Sequence, residues 1–269
     1  MPDRPVAFIT GASRGIGAAT ALEFAARGYD LALLARSKGD LESVAAQAQQ
    51  AGAQTQIHVV DLIDLDAAIA AVEATVARFN RLDALINNAA WREVGTMRRI
   101  TLEIWEKTLR IMLTAPAFLA RTAAVQMEKQ KRGVIVNVTS VMGLRPAGIS
   151  PAYPAAKAAL DALTSELAQL YGPSGVRVVS ILPGAIDTEM SQDYESADGA
   201  DLTETLRKES DDKIALQRWG QPEEIAKSIA WLASDDASYM TAAHLMVDGG
   251  LTNFFMPYSI KKMMLPEDF

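Results

Sequence analysis

The chain has 269 residues, 49% hydrophobic and 22% charged, with a formal net charge of −7 at pH 7. That is ample apolar matter for one large core, and no linker, repeat or composition shift divides it. With no cysteine, disulfides and thiolate chemistry are excluded, and the absence of a basic block argues against a nucleic-acid or anionic-membrane partner.

The two histidines, His58 and His244, read as structural, being too few for a His-rich metal site or a Ser-His-Asp triad. No run approaches the ~20 uninterrupted apolar residues of a membrane span. The start of the chain enters a strand by Val6 without the apolar stretch of a secretory leader. A soluble, cytoplasmic protein is expected.

Val6 to Ile9 is a short continuous apolar run, as in a strand buried on both faces. Gly11, Gly15 and Gly17 follow, then an alanine-rich stretch with helical spacing. A strand that ends in glycines and opens a helix builds an anion site, because the backbone can approach a phosphate and free N–H groups point at it. The stretch therefore calls for a nucleotide.

Strands and helices alternate from there on, which implies βαβ units and a parallel sheet of about seven strands. Asp30 to Ala35 is a strand, about Gly39 to Ala51 a helix stopped by Gly52, and Gln56 to Val60 a strand ending at Asp61. Leu65 to Phe79 is an amphipathic helix and Ala84 to Ile86 a strand ending in Asn87-Asn88-Ala89-Ala90. A long helix from about Thr101 to Lys129 should kink at Pro116. Gly133 to Val138 is a strand, about Pro151 to Tyr171 a helix, and Val176 to Leu182 a strand closed by Pro183-Gly184. Pro222 to Ala233 and Leu245 to Val247 are the last clear helix and strand. Between Asp187 and Asp212 the pattern dissolves into polar residues just past a strand's carboxyl end, where open α/β sheets hold ligands. We read residues 187–213 as a substrate lid, and Asp193, Glu195 and Asp198 within it as solvated rather than metal-binding.

The string Thr-Gly-Ala-Ser-Arg-Gly-Ile-Gly, at Thr10 to Gly17, resembles the cofactor loop of the short-chain dehydrogenase/reductase family. The likeness returns at Asp61-Leu62, at Asn87 to Ala90, at Ser140, at Tyr153 and Lys157, and at Pro183-Gly184 with Thr188. It spans roughly residues 5 to 250 and is similar to 3-oxoacyl-[acyl-carrier-protein] reductase-like members. The resemblance implies a single doubly wound Rossmann-type α/β domain over residues 1–253, with helices on both faces of the sheet. It also implies an NADP- or NAD-dependent enzyme that interconverts a carbonyl and a secondary alcohol without a metal, commonly as a homotetramer or dimer.

Tyr153 and Lys157 are four apart on a predicted helix and share a face. A free tyrosine, with a pKa near ~10, is a poor acid–base catalyst at neutrality, and a close ammonium would lower it. By resemblance Tyr153 moves the proton, Ser140 orients the carbonyl, and Lys157 holds the nicotinamide ribose while tuning Tyr153. Gly11, Ser13, Arg14, Gly15, Ile16 and Gly17 would hold the dinucleotide, with Asp61 and Leu62 at the adenine and Asn88 along the cleft. Pro183, Gly184, Ile186 and Thr188 would meet the nicotinamide.

Two positions depart from the family. Many members carry an asparagine seven residues after the tryptophan of the fourth helix; counting from Trp105, this chain has Met112, whose thioether cannot replace an amide's hydrogen bonds. Either the backbone at 112 still holds the family's water, or Met112 is core packing. Ala90 stands where glycine is usual and narrows the site slightly.

A carboxylate ending the second strand would bind a ribose 2′-hydroxyl and repel a 2′-phosphate. That place is Ala35, followed by Arg36, and Arg14 can approach the same ribose. Two guanidinium groups and no acid suit NADP(H), with Asp40 expected to lie too far into the next helix to matter.

Beyond Gly250, residues 254–269 carry Phe254, Phe255, Met256, Tyr258, Met263 and Met264, costly to leave in water. The expectation is a tail packed on a neighbouring subunit, with a tail folded on its own domain as the alternative. Substrates within the enzyme reading include 3-oxoacyl thioesters, steroids, sugars or polyols, and small ketones. A catalytically weak dinucleotide sensor or scaffold is the rival from another class.

Overall fold

The structure, a computed structural model, describes residues 4–192, 194, 196 and 198–268. Seven parallel strands form one sheet in the order β3-β2-β1-β4-β5-β6-β7. They are β1 Val6–Thr10, β2 Asp30–Ala35, β3 Thr55–Val59, β4 Ala84–Asn87, β5 Gly133–Val138, β6 Val176–Pro183 and β7 His244–Val247. The order reverses between β1 and β4, opening a crevice at the strands' carboxyl ends.

Successive side chains of a strand point to opposite faces, and both faces are apolar. Ala7 and Ile9 face one core with α1 (Gly15–Ala26), α2 (Lys38–Gln50) and α8 (Pro222–Ala233). Val6 and Phe8 face the other, built with α3 (Leu65–Phe79), α5 (Ala115–Gln130) and α6 (Ala152–Tyr171). The predicted strand and helix boundaries recur to within a residue or two. Gly52 follows α2 at φ +84°, the left-handed conformation its helix-stopping role requires.

The expected Thr101–Lys129 helix is corrected. It consists of α4 (Leu102–Leu109), a π-helical turn over Arg110–Thr114, and α5. Pro116 lies in the first turn of α5, where its missing N–H has no cost. The wide turn before it takes the place of the bond and the ring clash that Pro116 would impose on a continuous α-helix. Thr101 accepts a hydrogen bond from the Ile104 N–H and fixes the start of α4.

One row of polar residues crosses the otherwise apolar sheet beneath α6. Asn87, Asn137, Ser180 and His244 are aligned partners on β4, β5, β6 and β7. Asn87 Nδ2 donates to Asn137 Oδ1 (2.9 Å), and Asn137 Nδ2 donates to Thr164 Oγ1 on α6 (2.9 Å). Ser180 Oγ donates to Asp161 Oδ1 (2.7 Å) and lies 2.7 Å from His244 Nδ1. His244 Nε2 in turn lies 3.0 Å from Ser165 Oγ.

At the remaining edge of this row His244 sits between Ser165 and Asp161, 3.4 Å from the latter. Ser180 is its closer partner, at 2.7 Å, and the grouping braces α6 on the sheet.

Candidate active site

A cavity of about 600 Å³ opens at the carboxyl ends of the strands. Its floor is the turn from β1 to α1. Gly11 and Gly15 have φ of +65° and +54°, and a Cβ on Gly17 would stand 2.1 Å from the Gly11 carbonyl oxygen. Arg14 precedes α1 without capping it, and no acid occupies its first turn, so the leading N–H groups are open to an anion.

Asn88 holds this turn from beneath. Its Nδ2 donates to the carbonyls of Thr10 (3.0 Å) and Gly11 (3.2 Å), while Thr10 Oγ1 accepts from the N–H of Asn88 and Ala89. Backbone freedom, close approach and a helix start combine to fit a dinucleotide's phosphates.

All but one of the expected site residues line the cavity. Ser13, Ile16, Arg36 and Leu62 stand on the side of β1 and β2 with Gly11, Arg14 and Gly15, and Asp61 joins them. Pro183, Gly184, Ile186 and Thr188 stand at the end of β6. Gly17 lies behind the wall and acts through the close approach just described. Asp61 accepts from the Ile63 N–H (3.0 Å), and its other oxygen lies 3.9 Å from Arg36 Nη1. Asp40, expected to be out of reach, lines the same cavity because α2 begins at Lys38 and brings its first turn to the rim.

Ser140, Tyr153 and Lys157 meet at the centre. Ser140 ends β5's extension in a buried position and accepts from the Met142 N–H at 3.1 Å. Tyr153 and Lys157 project from adjacent turns of α6. Lys157 is 2% exposed; its Nζ donates to the Val138 carbonyl at 2.7 Å and lies 5.7 Å from the centre of the Tyr153 ring.

Burial lowers the Lys157 ammonium from its ordinary value to about 8, against the attraction of Asp161. Burial also raises the Tyr153 phenol, opposed by hydrogen bonding to Ser140 and by the charge of Arg92. Ser140 and Arg92 thus join Lys157 around the phenol. One N–H of Lys157 is held by the Val138 carbonyl, and the downward pull on Tyr153 includes Ser140 and Arg92.

The segment after β6 lines the cavity from that side, with Thr188, Met190, Tyr194 and Leu206 among its residues there. Its described parts include a 3₁₀ turn, Glu189–Ser191, and α7, Thr203–Asp211. Arg207 Nη2 pairs with Asp187 Oδ1 (2.9 Å) and its guanidinium lies over the Trp219 ring. Arg14 pairs with Glu189, joining the glycine turn to the lid. Arg92, after β4, donates to the Tyr194 hydroxyl (2.6 Å) and the Met190 carbonyl (2.9 Å). Sequence reasoning missed Arg92; its signal was a cation in the loop following Asn87–Ala90.

A profile described as enoyl-(acyl carrier protein) reductase matches residues 11–252. The chain belongs to the short-chain dehydrogenase/reductase family. It is similar to a 3-oxoacyl-[acyl-carrier-protein] reductase of Thermotoga maritima, 33% identical over 91% of this chain and 97% of that one. A cis-4-hydroxycyclohexanecarboxylate dehydrogenase of Sinomonas cyclohexanicum is 35% identical over 92% of this chain and 96% of its own. An NAD⁺-bound xylitol dehydrogenase structure superposes with a TM-score of 0.85 at 28% identity, over 93% of this chain and all of that one. The protein is thus an oxidoreductase of the carbonyl/alcohol pair whose fold binds a nicotinamide dinucleotide.

In this short-chain dehydrogenase/reductase, Met112 is fully buried in the apolar core beside Ala115 and Leu119, and Ile111 rather than Met112 reaches the cavity. The Met112 side chain is core packing, and its backbone lies within the π-helical turn. Ala89 and Ala90 line the cavity, the Ala90 methyl among its walls.

The family tail contacts its own lid. The N–H of Tyr258 donates to the Asp212 carbonyl, and the Asp212 carboxylate accepts from the N–H and hydroxyl of Ser259 (both 2.7 Å), fixing the start of α9 (Tyr258–Met264). Phe254, Met256 and Tyr258 are half-buried, whereas Phe255, Met263 and Met264 are exposed. Asp198 accepts a hydrogen bond from Ser196, and no metal-binding cluster occurs among the described residues. Asp193 and Glu195 lie outside the described residues. No helix of the described residues is long and apolar enough to cross a membrane.

Proposed function

We propose that this protein is an NADP(H)-dependent reductase of a small carbonyl substrate, or the dehydrogenase of the matching secondary alcohol, with Ser140, Tyr153 and Lys157 as its catalytic residues. The observation that carries the reading is the meeting of these three side chains in one cavity with the glycine turn. The bound dinucleotide supplies or accepts the hydride.

The open N–H groups of α1 bind its phosphates, with Asp61 and Leu62 at the adenine. Lys157 holds the ribose hydroxyls. Ile186 and Thr188, with Pro183 and Gly184, position the ring. Ser140 donates a hydrogen bond to the substrate oxygen and polarises it. Tyr153 gives its phenolic proton to that oxygen in reduction and takes it back in oxidation. Desolvation of the half-buried Tyr153 holds its phenol above the ordinary value, which keeps the proton on until the oxygen gains charge.

Support for NADP(H) is the neutral Ala35 at the end of β2, with Arg36 and Arg14 on the same wall. Each arginine already faces a carboxylate, Asp61 or Glu189, and a 2′-phosphate would compete for it. Asp40 at the rim favours NAD(H) as the second reading. The tail supports assembly into a homo-oligomer, a tetramer or dimer, through Phe255, Met263 and Met264. Residues 1–253 form the catalytic domain, with the lid over 187–213. The relatives' names span thioester, alicyclic and polyol chemistry, so a 3-oxoacyl-type ketoreductase is one candidate among several.

The test is oxidation of NADPH and NADH across a panel of carbonyl compounds, with Tyr153→Phe as control. Turnover should favour NADPH, and Arg14→Ala with Arg36→Ala should raise its KM far more than that of NADH. Equal loss for both cofactors would overturn the phosphate reading. Binding of dinucleotide with no turnover of any carbonyl would establish a sensor instead.

A further inference from the structure

We propose that Arg92 anchors an anionic group of the substrate, so that the alcohol or ketone handled in this cavity carries a carboxylate on an otherwise apolar body. The inference rests on the reading of the cavity as a carbonyl/alcohol site and narrows its substrate class. Three arginines line the cavity: Arg14, Arg36 and Arg92. Arg14 pairs with Glu189, and Arg36 with Asp61 at 3.9 Å. Among the described residues Arg92 bonds only neutral acceptors, the Tyr194 hydroxyl and the Met190 carbonyl. Among the described residues no carboxylate forms an ion pair with it.

Those two bonds, together with the Tyr194 ring 4.8 Å away, fix the guanidinium rather than neutralise it. A guanidinium has five N–H donors, and two are used, so the fork can still bind a carboxylate. Arg92 is half-buried, and an unpaired cation there carries a desolvation cost that a substrate anion would relieve. Its charge also reaches the phenol of Tyr153, which places the two ends of the site within one electrostatic neighbourhood.

The surroundings select the rest of the molecule. Trp91, Met142, Leu206, Trp219 and Leu251 are apolar walls of the same cavity. Such walls offer little to a polyol, whose hydroxyls need many polar partners, and an uncharged steroid would leave Arg92 unpaired. An apolar ring or short chain with one carboxylate and one oxo or hydroxyl group satisfies both features.

The test measures binding and turnover separately. Cyclohexanone carboxylates and 5-oxohexanoate, each beside its methyl ester, are titrated calorimetrically into the dinucleotide-loaded full-length protein. At least one acid should bind about tenfold more tightly than its ester, and added salt should shrink that advantage. Arg92→Gln should bring the ratio to about one, and Arg92→Lys should restore part of it.

Tyr194→Phe removes the lid acceptor and keeps the guanidinium; it should keep the acid's advantage, which a mere lid clasp would not require. Equal affinity of every acid and ester, absence of binding by any acid, or an advantage that survives in folded Arg92→Gln overturns the anchor. Turnover in the same samples decides the underlying reading independently: an acid that binds through Arg92 but is never reduced would leave the anchor standing and overturn the enzyme.

Discussion

The glycine turn from Thr10 to Gly17 and the described residues of the proposed lid after β6 face the same cavity and are held there by opposite means. In the turn, backbone lies on backbone: Gly17 packs so close to the Gly11 carbonyl that a methyl does not fit, and Asn88 and Thr10 hydrogen-bond the chain from below. In the lid, side chains reach across solvent-accessible gaps, with Arg207 to Asp187, Arg92 to Tyr194 and Asp212 to Ser259. The first arrangement has a single solution and tolerates no added atom. The second can be rewired one side chain at a time, and that is where substrate choice can change without loss of the cofactor.

The contrast can be broken most severely at Gly17. Gly17→Ala places a methyl 2.1 Å from a carbonyl oxygen and should weaken dinucleotide binding by more than about 100-fold, followed by fluorescence titration. Gly199→Ala, in the lid at φ +84° with no atom within 4 Å, should cost about 1 kcal/mol of stability and leave binding unchanged. Equal effects at the two glycines would end the distinction.

Lys157 sharpens it through pH. Its ammonium is lowered from 10.5 to about 8 in the folded chain, so between those values the unfolded chain binds the extra proton. Stability should therefore rise with pH across that window, by about 3 kcal/mol relative to Lys157→Met, while dinucleotide affinity falls as the cation is lost. Urea unfolding and titration from pH 7 to 10.5 check both; a flat difference between the two proteins would contradict the burial argument.

Met112→Asn tests the packed interior behind the turn. An amide placed in the apolar cluster of Ile111, Ala115 and Leu119 loses its water there and should lower stability by about 2 kcal/mol, read as the denaturation midpoint. An asparagine that leaves the midpoint unchanged would restore a polar role to this position.

The smallest effect belongs to the lid pair. Asp187→Asn and Arg207→Gln should each change stability by less than about 1 kcal/mol yet raise the substrate KM a few-fold, with the double variant no worse than either single one.

The contrast also explains which parts of the molecule could be read in advance. Apolar runs such as Val6–Ile9 and Gly133–Val138 carry their own strand signal, and the Thr10–Gly17 string announces its turn because backbone contacts demand particular residues at fixed spacing. The four-residue interval from Tyr153 to Lys157 likewise survives into space, since both lie on one helix. What stayed hidden depends on elements far apart in the chain. The π turn at Arg110–Thr114 reflects how Pro116 meets β4, where Asn87 donates to its carbonyl. Asp40 reaches the rim because the first turn of α2 faces the cavity, an orientation set by how α2 packs on the sheet. Arg92 matters because Tyr194 lies 102 residues later in the chain. The direction in which Lys157 spends its proton depends on a carbonyl 19 residues before it on another element.

The polar row beneath α6 has a consequence for how the sheet assembles. Strands covered on both sides by helices are almost uniformly apolar, so hydrophobic alternation cannot distinguish a correct pairing from one slipped by a residue. Asn87, Asn137, Ser180 and His244 supply that missing distinction. A one-step slip of β5, β6 or β7 would set an amide, hydroxyl or imidazole against valine, isoleucine or leucine, leaving several buried polar groups unbonded at once. The row acts as a key cut into a smooth edge: it raises the nearest competitors of the native register, so a misaligned sheet cannot satisfy the polar groups that α6 meets.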